Sequence, residues 1–209
     1  MTDLLSCDLD QFLGRFASPE PAPGGGSASA LAGAVAASLV CMIARLTLKK
    51  PPSDEAAEEL LEIVQRASLL KDRLTTLVHE DAESYLRFFE ARGLPKETDE
   101  QKAGRKSAVA QAATHMTMVP LTTMRSAFEL VDMLQRMLVL GNPNAVSDLG
   151  VAATLARSAI QGAYMNVAIN LPQLQGDEKQ RCADDAKLLL ETSEKTIPEL
   201  LEKVQSKIS

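Results

Sequence analysis

Residues 60–88 read LLEIVQRASLLKDRLTTLVHEDAESYLRF, with apolar side chains at steps of three and four. The series comprises Leu60, Val64, Ala67, Leu70, Leu74 and Val78, followed by Asp81, Tyr85 and Phe88. Such steps place side chains on one face of an α-helix. The segment therefore predicts a long amphipathic helix, from about Ser53 to Ala91, that packs this face into a core.

The rest of the 209-residue chain is also helical in pattern, because no window shows the sustained alternation of a strand. Further helices are predicted at about Leu9–Phe16, Ser27–Leu48, Thr98–Leu140, Asp148–Leu171 and Asp177–Ile208. Thr98 and Gln101 form a capping-box signature. Pro120 should kink its helix, and Pro198 is the expected place for a break in the last one. We expect an all-α fold: a single domain over residues 1–209, a bundle of about five or six helices, two of them long.

Composition narrows the classes of function. Hydrophobic residues make up 45% of the chain and aromatic residues 3%, which suits close-packed helices. A net charge of -6 argues against nucleic-acid binding. Cys7, Cys41 and Cys182 are odd in number and form no Cys-x-x-Cys, and two histidines are few for a metal cluster. We therefore expect no bound metal. Because early acidic residues such as Asp3 do not fit a signal peptide, we also expect a cytoplasmic protein.

One uncharged stretch, between Glu20 and Arg45, calls for comparison with a membrane span. Its first part is a loop of prolines and glycines, and its remainder is rich in Ala, Gly and Ser, which is weak for a span. We therefore predict a buried core helix and no membrane partner. Small residues recur every four positions, at Gly26, Ala30, Ala34 and Ser38, a face that lets a neighbouring backbone approach.

Asp81 stands where the apolar series of the long helix calls for leucine. A buried carboxylate must pair, protonate or border a cavity. One hypothesis is a structural ion pair with an Arg or Lys of a neighbouring helix, and the other is a functional carboxylate.

Two loops are candidate ligand contacts. Glycines Gly24, Gly25 and Gly26 precede Ser27 at the start of a helix, where free N–H groups and the missing side chains favour a bound ligand. A flexible N-cap is the other interpretation, although three glycines in a row exceed what capping needs. Polar residues crowd the predicted loop 141–148: Asn142, Asn144, Ser147 and Asp148. Ser147 or Asp148 would cap the next helix, which leaves both asparagines unexplained.

Asn166 and Asn170 are four residues apart on the fifth predicted helix, on one face. Buried amides need partners, which either an amide-rich heterocycle or a neighbouring helix would supply. Basic residues such as Lys49, Lys50 and Lys102 are ordinary solvated side chains unless the ligand is an anion.

These motifs occur together in one order. They are Pro23-Gly-Gly-Gly-Ser27, Asp81-Ala82, Gly93-Leu-Pro-Lys96, Gly141-Asn-x-Asn-x-x-Ser-Asp148 and Asn166-Val-x-x-Asn170. The set resembles the formiminotransferase-cyclodeaminase C-terminal family over nearly the whole chain. The sequence departs from the family pattern at Tyr85, where Phe is usual, and at Leu149, where Ala is usual.

The resemblance implies an all-helical homodimer, with its active site near the subunit interface, that acts on a tetrahydrofolate derivative without metal or redox cofactor. Two activities are known in the family: methenyltetrahydrofolate cyclohydrolase and formiminotetrahydrofolate cyclodeaminase. Segment 93–105 is closer to the cyclohydrolase branch. A carboxylate beside the cationic bridge carbon of 5,10-methenyltetrahydrofolate would take a proton from attacking water. We expect Asp81 in this role, with Asp148 as second choice.

The resemblance also suggests which residues would contact the folate. The expected set is Gly24, Gly25, Gly26, Ser27, Asn142, Asn144, Ser147, Asn166 and Asn170, with Lys49, Lys50 or Lys102 for the anionic glutamate tail. A helical scaffold that kept the fold and lost the chemistry is the alternative from another class. The intact Asp81 and glycine loop argue against that alternative.

Overall fold

The computed structural model of the chain describes residues 8–208, which form six α-helices joined by short connections; Cys7 and Asp3 lie outside this range. The helices are α1 (Leu9–Phe16), α2 (Gly25–Leu48), α3 (Asp54–Gly93), α4 (Asp99–Leu140), α5 (Val146–Asn170) and α6 (Gly176–Ile208). Short 3-10 helices at Pro143–Ala145 and Leu171–Gln173 flank α5. No strand occurs within residues 8–208, and the predicted all-α fold with two long helices is confirmed.

The two long helices begin where side chains satisfy their free N–H groups. The hydroxyl of Ser53 accepts a hydrogen bond from the Ala56 backbone N–H at 3.2 Å, which starts α3. Thr98 and Gln101 form the predicted capping box at the start of α4, each side chain accepting from the other residue's backbone N–H. Such caps stabilise a helix by about 1 kcal/mol.

Helix α2 lies against α3, α4 and α5, and α6 covers α4 and α5. The small side chains of α2 permit this close packing: Ala30 and Ala34 are buried, and a Cβ on Gly33 would approach Leu74 Cδ2 to 3.0 Å. The predicted small-residue face therefore serves contacts within the chain, with only Ser38 of that series exposed. Among the described helices, α2 alone is long and apolar enough to cross a membrane, and half of its most apolar 18-residue stretch is buried inside the protein.

Both helix-interior prolines are accommodated. α4 continues through Pro120, where the kink stays a prediction. α6 continues through Pro198, so the expected break is wrong. Ile197 and Leu200 on either side are buried, and this packing offsets the missing hydrogen bond, which costs about 3 kcal/mol in an exposed helix.

The predicted loop 141–148 is shorter than expected, because α5 begins at Val146. Neither Ser147 nor Asp148 caps the helix, since both lie in its first turn, and this prediction is wrong. Asn142 instead caps the 3-10 helix that leads into α5: its Oδ1 accepts from the Asn144 N–H at 2.9 Å. Asp148 still lies where a negative charge stabilises the positive end of the helix.

Candidate active site

Asp81 meets the first turn of α2. The Ser27 hydroxyl donates a hydrogen bond to Asp81 Oδ2 at 2.9 Å. Gly26 leaves room for this approach, because a Cβ there would come within 2.6 Å of Asp81 Cγ. No Lys or Arg of residues 8–208 forms an ion pair with Asp81, so the structural ion pair considered from the sequence is not present.

The surroundings favour the neutral form of Asp81. Burial raises the pKa of this carboxyl above its ordinary value of 3.8, and the hydroxyl and backbone of Ser27 oppose that rise. A carboxyl with a raised pKa and no ion-pair partner within residues 8–208 is a candidate for proton transfer.

Asp81 borders a cleft of about 400 Å³, which we call the Asp81 cleft. Its walls include Gly24, Gly25, Gly26, Tyr85, Phe88, Phe89, Arg92, Asn166, Ile169, Asn170 and Gln173. Phe89 and Ile169 are 67% and 73% exposed, so apolar side chains rim the opening. Apolar walls with a few convergent polar groups are typical of a pocket for a small organic ligand.

Both predicted asparagines face this cleft and are anchored through their Nδ2 atoms. Asn166 donates to the Gly162 carbonyl at 2.8 Å, and Asn170 donates to the Met116 carbonyl of α4 at 2.9 Å. The helix-to-helix bond considered from the sequence is therefore made by Asn170. Among residues 8–208, neither Oδ1 atom accepts a hydrogen bond. The cleft thus presents two oriented amide oxygens.

A second cleft, of about 660 Å³, adjoins the first and shares Gln173 with it. We call it the basic cleft, after its four cationic residues: Lys96, Lys102, Arg105 and Lys106. Lys102 also pairs with Asp99 at 2.9 Å, and Arg105 donates to the Arg92 carbonyl. This local positive charge suits an anionic group even though the whole chain is acidic.

The remaining predicted site residues lie at the other end of the bundle. The Asn142 backbone N–H donates to Thr47 Oγ1 at 2.9 Å, which ties the loop to the C-terminal end of α2. Gly26 and Thr47 are separated by about 30 Å, at 1.5 Å per helical residue. Far from Asp81 therefore lie Lys49, Lys50, Asn142, Asn144, Ser147 and Asp148. One chain does not bring Asp81 and Asp148 together.

Sequence reasoning missed several residues of the clefts. Arg92 continues the series 81, 85 and 88 along α3, so extending the helical periodicity would have found it. Phe89, Ile169 and Gln173 carry no such signal, because their position depends on how α3 and α5 pack. Within residues 8–208 no group of three His, Cys, Asp or Glu side chains could hold a metal ion.

Comparison with known proteins identifies relatives that are named as cyclohydrolases or cyclodeaminases. The formiminotransferase-cyclodeaminase family profile matches residues 8–187. The methenyltetrahydrofolate cyclohydrolase of Methylorubrum extorquens is 36% identical over 162 residues, which cover 78% of each chain. The mouse formimidoyltransferase-cyclodeaminase is 32% identical over 83% of this chain, which spans about a third (32%) of that protein. Formiminotetrahydrofolate cyclodeaminase from Thermotoga maritima has the same fold, with a TM-score of 0.80, 25% identity and coverage of 98% and 97% of the two chains.

Fold and cleft together define a class: helical-bundle proteins with a carboxyl-bearing cleft at one end. Within it, the chain belongs to the formiminotransferase-cyclodeaminase family.

Proposed function

We propose that the chain is a methenyltetrahydrofolate cyclohydrolase, which hydrolyses 5,10-methenyltetrahydrofolate to 10-formyltetrahydrofolate in one-carbon metabolism. The observation that carries this proposal is Asp81, a carboxyl on the wall of a cleft that forms no ion pair with any residue of the range 8–208. The relative of that name, matched over most of both chains, supports the choice of reaction. The test is the loss of methenyltetrahydrofolate absorbance when the purified chain is added. No turnover of this substrate would contradict the proposal.

In this reaction the Asp81 carboxylate takes a proton from a water molecule as the oxygen of that water bonds to the bridge carbon. The protonated Asp81 then gives this proton to N5 as the bond from the bridge carbon to N5 breaks, and the remaining hydroxyl proton passes to the solvent as the formyl C=O forms. The carboxylate also stabilises the substrate cation electrostatically, and the cleft walls of Tyr85, Phe88 and Phe89 keep bulk water away from the charge.

We place the glutamate tail of the folate in the basic cleft. The two clefts share Gln173, so a ligand whose ring lies beside Asp81 reaches the cations through its tail. Lys102→Ala combined with Arg105→Ala should raise KM more for a polyglutamylated substrate than for the monoglutamate. Lys187→Ala, an exposed lysine on α6, is the control. Equal KM changes for both substrates would contradict this placement.

The second candidate is formiminotetrahydrofolate cyclodeaminase, the reaction in the name of the Thermotoga relative. There N10 attacks, ammonia leaves, and Asp81 would act as proton donor. A proton donor must be protonated, so the cyclodeaminase rate should rise as pH falls through the pKa of Asp81. The cyclohydrolase rate, for which Asp81 acts as a base, should fall over the same range. Assays of both substrates across pH separate the two, and folate binding without turnover would favour a scaffold.

The homodimer that we propose would use an uncharged face of α2 and α5. It comprises Ala28, Ala32, Val35, Leu39, Met42 and Leu46 on α2, and Val151, Leu155, Ser158, Gly162, Met165 and Ile169 on α5. All are exposed or half-buried, and their spacing of three and four is that of paired helices. Two adjacent helices of this length offer about 700 Å², near the ~800 Å² per partner of a stable interface.

We favour a second copy of the chain, rather than a membrane, as the occupant of this face. Ile169 belongs both to the face and to the rim of the Asp81 cleft, so the interface would adjoin the active site. Light scattering should give twice the 22.5 kDa of one chain. Met42→Glu should yield monomers, and Leu188→Glu, an exposed position on α6, should not. A wild-type monomer with full turnover would exclude the dimer.

We further propose that the enzyme works in the cytoplasm without a metal or redox cofactor. The chemistry needs only a proton acceptor and water, and Asp81 supplies the acceptor. Turnover should survive EDTA; loss that zinc or magnesium restores would reveal a metal site.

A further inference from the structure

Ser27 differs from the other polar residues near the Asp81 cleft because it does not reach the cleft surface. Its side chain is fully buried, whereas Gly24, Gly25 and Gly26 beside it line the wall. Its hydroxyl donates to Asp81 Oδ2 at 2.9 Å, across the boundary between α2 and α3. Ser27 thus contacts the proposed proton acceptor from behind rather than the ligand.

We propose that Ser27 is a positioning residue, whose hydroxyl holds Asp81 Oδ2 so that the carboxylate faces the cleft in one orientation. This inference rests on the proposed function, in which Asp81 accepts a proton. Gly26 makes the arrangement possible, since any side chain there would occupy the space of the carboxyl group. A fixed carboxylate favours proton transfer because the acceptor needs no reorientation before reaction.

Burial has the largest effect on the pKa of Asp81 and raises it, and the hydrogen bond from Ser27 opposes that rise. A hydroxyl that donates to a carboxylate stabilises its charged form. The other ionisable side chains of the cleft wall are Tyr85 and Arg92, both on α3; the α2, α4 and α5 residues of that wall carry none. Without the Ser27 hydroxyl, less opposes the rise in the pKa of Asp81 that burial causes, so Asp81 should ionise at higher pH.

Ser27→Ala tests this assignment through three readouts: kcat, KM and the pH profile of kcat. The acid limb should move up by about one pH unit, so that kcat on that limb falls about tenfold, because one charge-assisted hydrogen bond is lost. KM should stay unchanged, since Ser27 does not touch the ligand. Ser29→Ala is the matched control: Ser29 lies on the same helix, is also buried, and donates to the Gly25 carbonyl instead.

A raised KM with an unmoved acid limb would overturn the proposal and make Ser27 a substrate contact. An unchanged kcat, KM and pH profile would overturn it as well, while wild-type turnover would still support the cyclohydrolase. If Ser27→Ala is too unstable for kinetics, melting temperatures measured across pH replace the activity assay. The four chains compared are the wild type, Ser27→Ala, Asp81→Asn and the double variant, and the pH dependence that Asp81→Asn removes is the titration of Asp81. If the pH dependence of melting that is due to Asp81 were the same with and without the Ser27 hydroxyl, the positioning role would also be rejected.

Discussion

The two ends of α2 use polar residues in opposite ways. At its N-terminal end, Ser27 holds a half-buried carboxyl beside a cleft, and no cation of residues 8–208 neutralises it. At its C-terminal end, Thr47 accepts from the Asn142 backbone, and the Asn142 amide caps the following turn. The second arrangement satisfies its polar groups locally, whereas the first leaves a charge that costs stability.

The difference separates polar residues that build the fold from those for which we propose a role in the chemistry. Both ends carry motifs of similar appearance in the sequence, rich in Gly, Asn, Ser and Asp. Both ends have clefts, of about 400 Å³ at Asp81 and about 350 and 490 Å³ at the loop end. Within residues 8–208, the Asp81 cleft is lined by a carboxyl of raised pKa, and no carboxyl lines the two clefts at the loop end. In the proposed homodimer, the loop end would take part in catalysis if the α2 helices of the two subunits paired antiparallel, because that pairing would bring opposite ends together.

Asp81→Asn should have the largest effect, because Asn keeps the size of the side chain but accepts no proton. Turnover should fall by about a hundred- to ten-thousand-fold. The raised pKa means that the folded chain holds the proton above pH 3.8, so the free energy of unfolding falls as pH rises through the folded pKa. Removal of this charge should leave the melting temperature at pH 7 equal or higher. A lower melting temperature with normal turnover would assign Asp81 a structural role.

Gly26→Ala should come next, because its Cβ would overlap the carboxyl of Asp81 and displace it. We expect at least a tenfold loss of kcat, by analogy with other displaced catalytic groups. Gly24→Ala is the matched control, since a Cβ on Gly24 meets nothing within 4 Å and Gly24 lines the same cleft. Steady-state kinetics of both variants decide the point, and equal losses would mean that Gly26 is not needed for the position of Asp81.

The fold could be predicted largely from local signals, and the site only in part. Helix α3 and its cap at Ser53 follow from periodicity and one hydroxyl, both visible within a few residues. The contact of Ser27 with Asp81 joins residues 54 positions apart, so no local pattern reveals it. The same applies to Pro198, whose helix continues because distant side chains bury its neighbours.

The position of loop 141–148 was also beyond local reasoning. The family resemblance groups Asp148 with Asp81 as site residues but carries no information on distance. Only the antiparallel course of α2 and α5, seen in the approach of Asn166 to Gly25, shows that the start of α5 lies far from the cleft.

Asp148→Asn tests whether a partner subunit brings the two ends together. In the proposed dimer we expect a loss of about tenfold, below the hundredfold that a general base contributes. Co-expression with Asp81→Asn chains should then restore about a quarter of wild-type turnover, because half of the dimers are mixed and each holds one intact site. Full activity of Asp148→Asn alone would show that the loop end takes no part in catalysis.

Asn142→Ala should have the smallest effect and should act on stability. The Asn142 Oδ1 accepts from the Asn144 N–H, and loss of such a cap costs about 1 kcal/mol. Urea unfolding should show this decrease, whereas Asn144→Ala should not, because the side chain of Asn144 is exposed and makes no hydrogen bond within residues 8–208. KM should be unchanged, since the amide oxygen is already engaged in the turn. If Asn142→Ala instead raised KM and left stability unchanged, the amide would be a substrate contact, as the sequence motif alone suggests, and the contrast between the two ends of α2 would no longer hold.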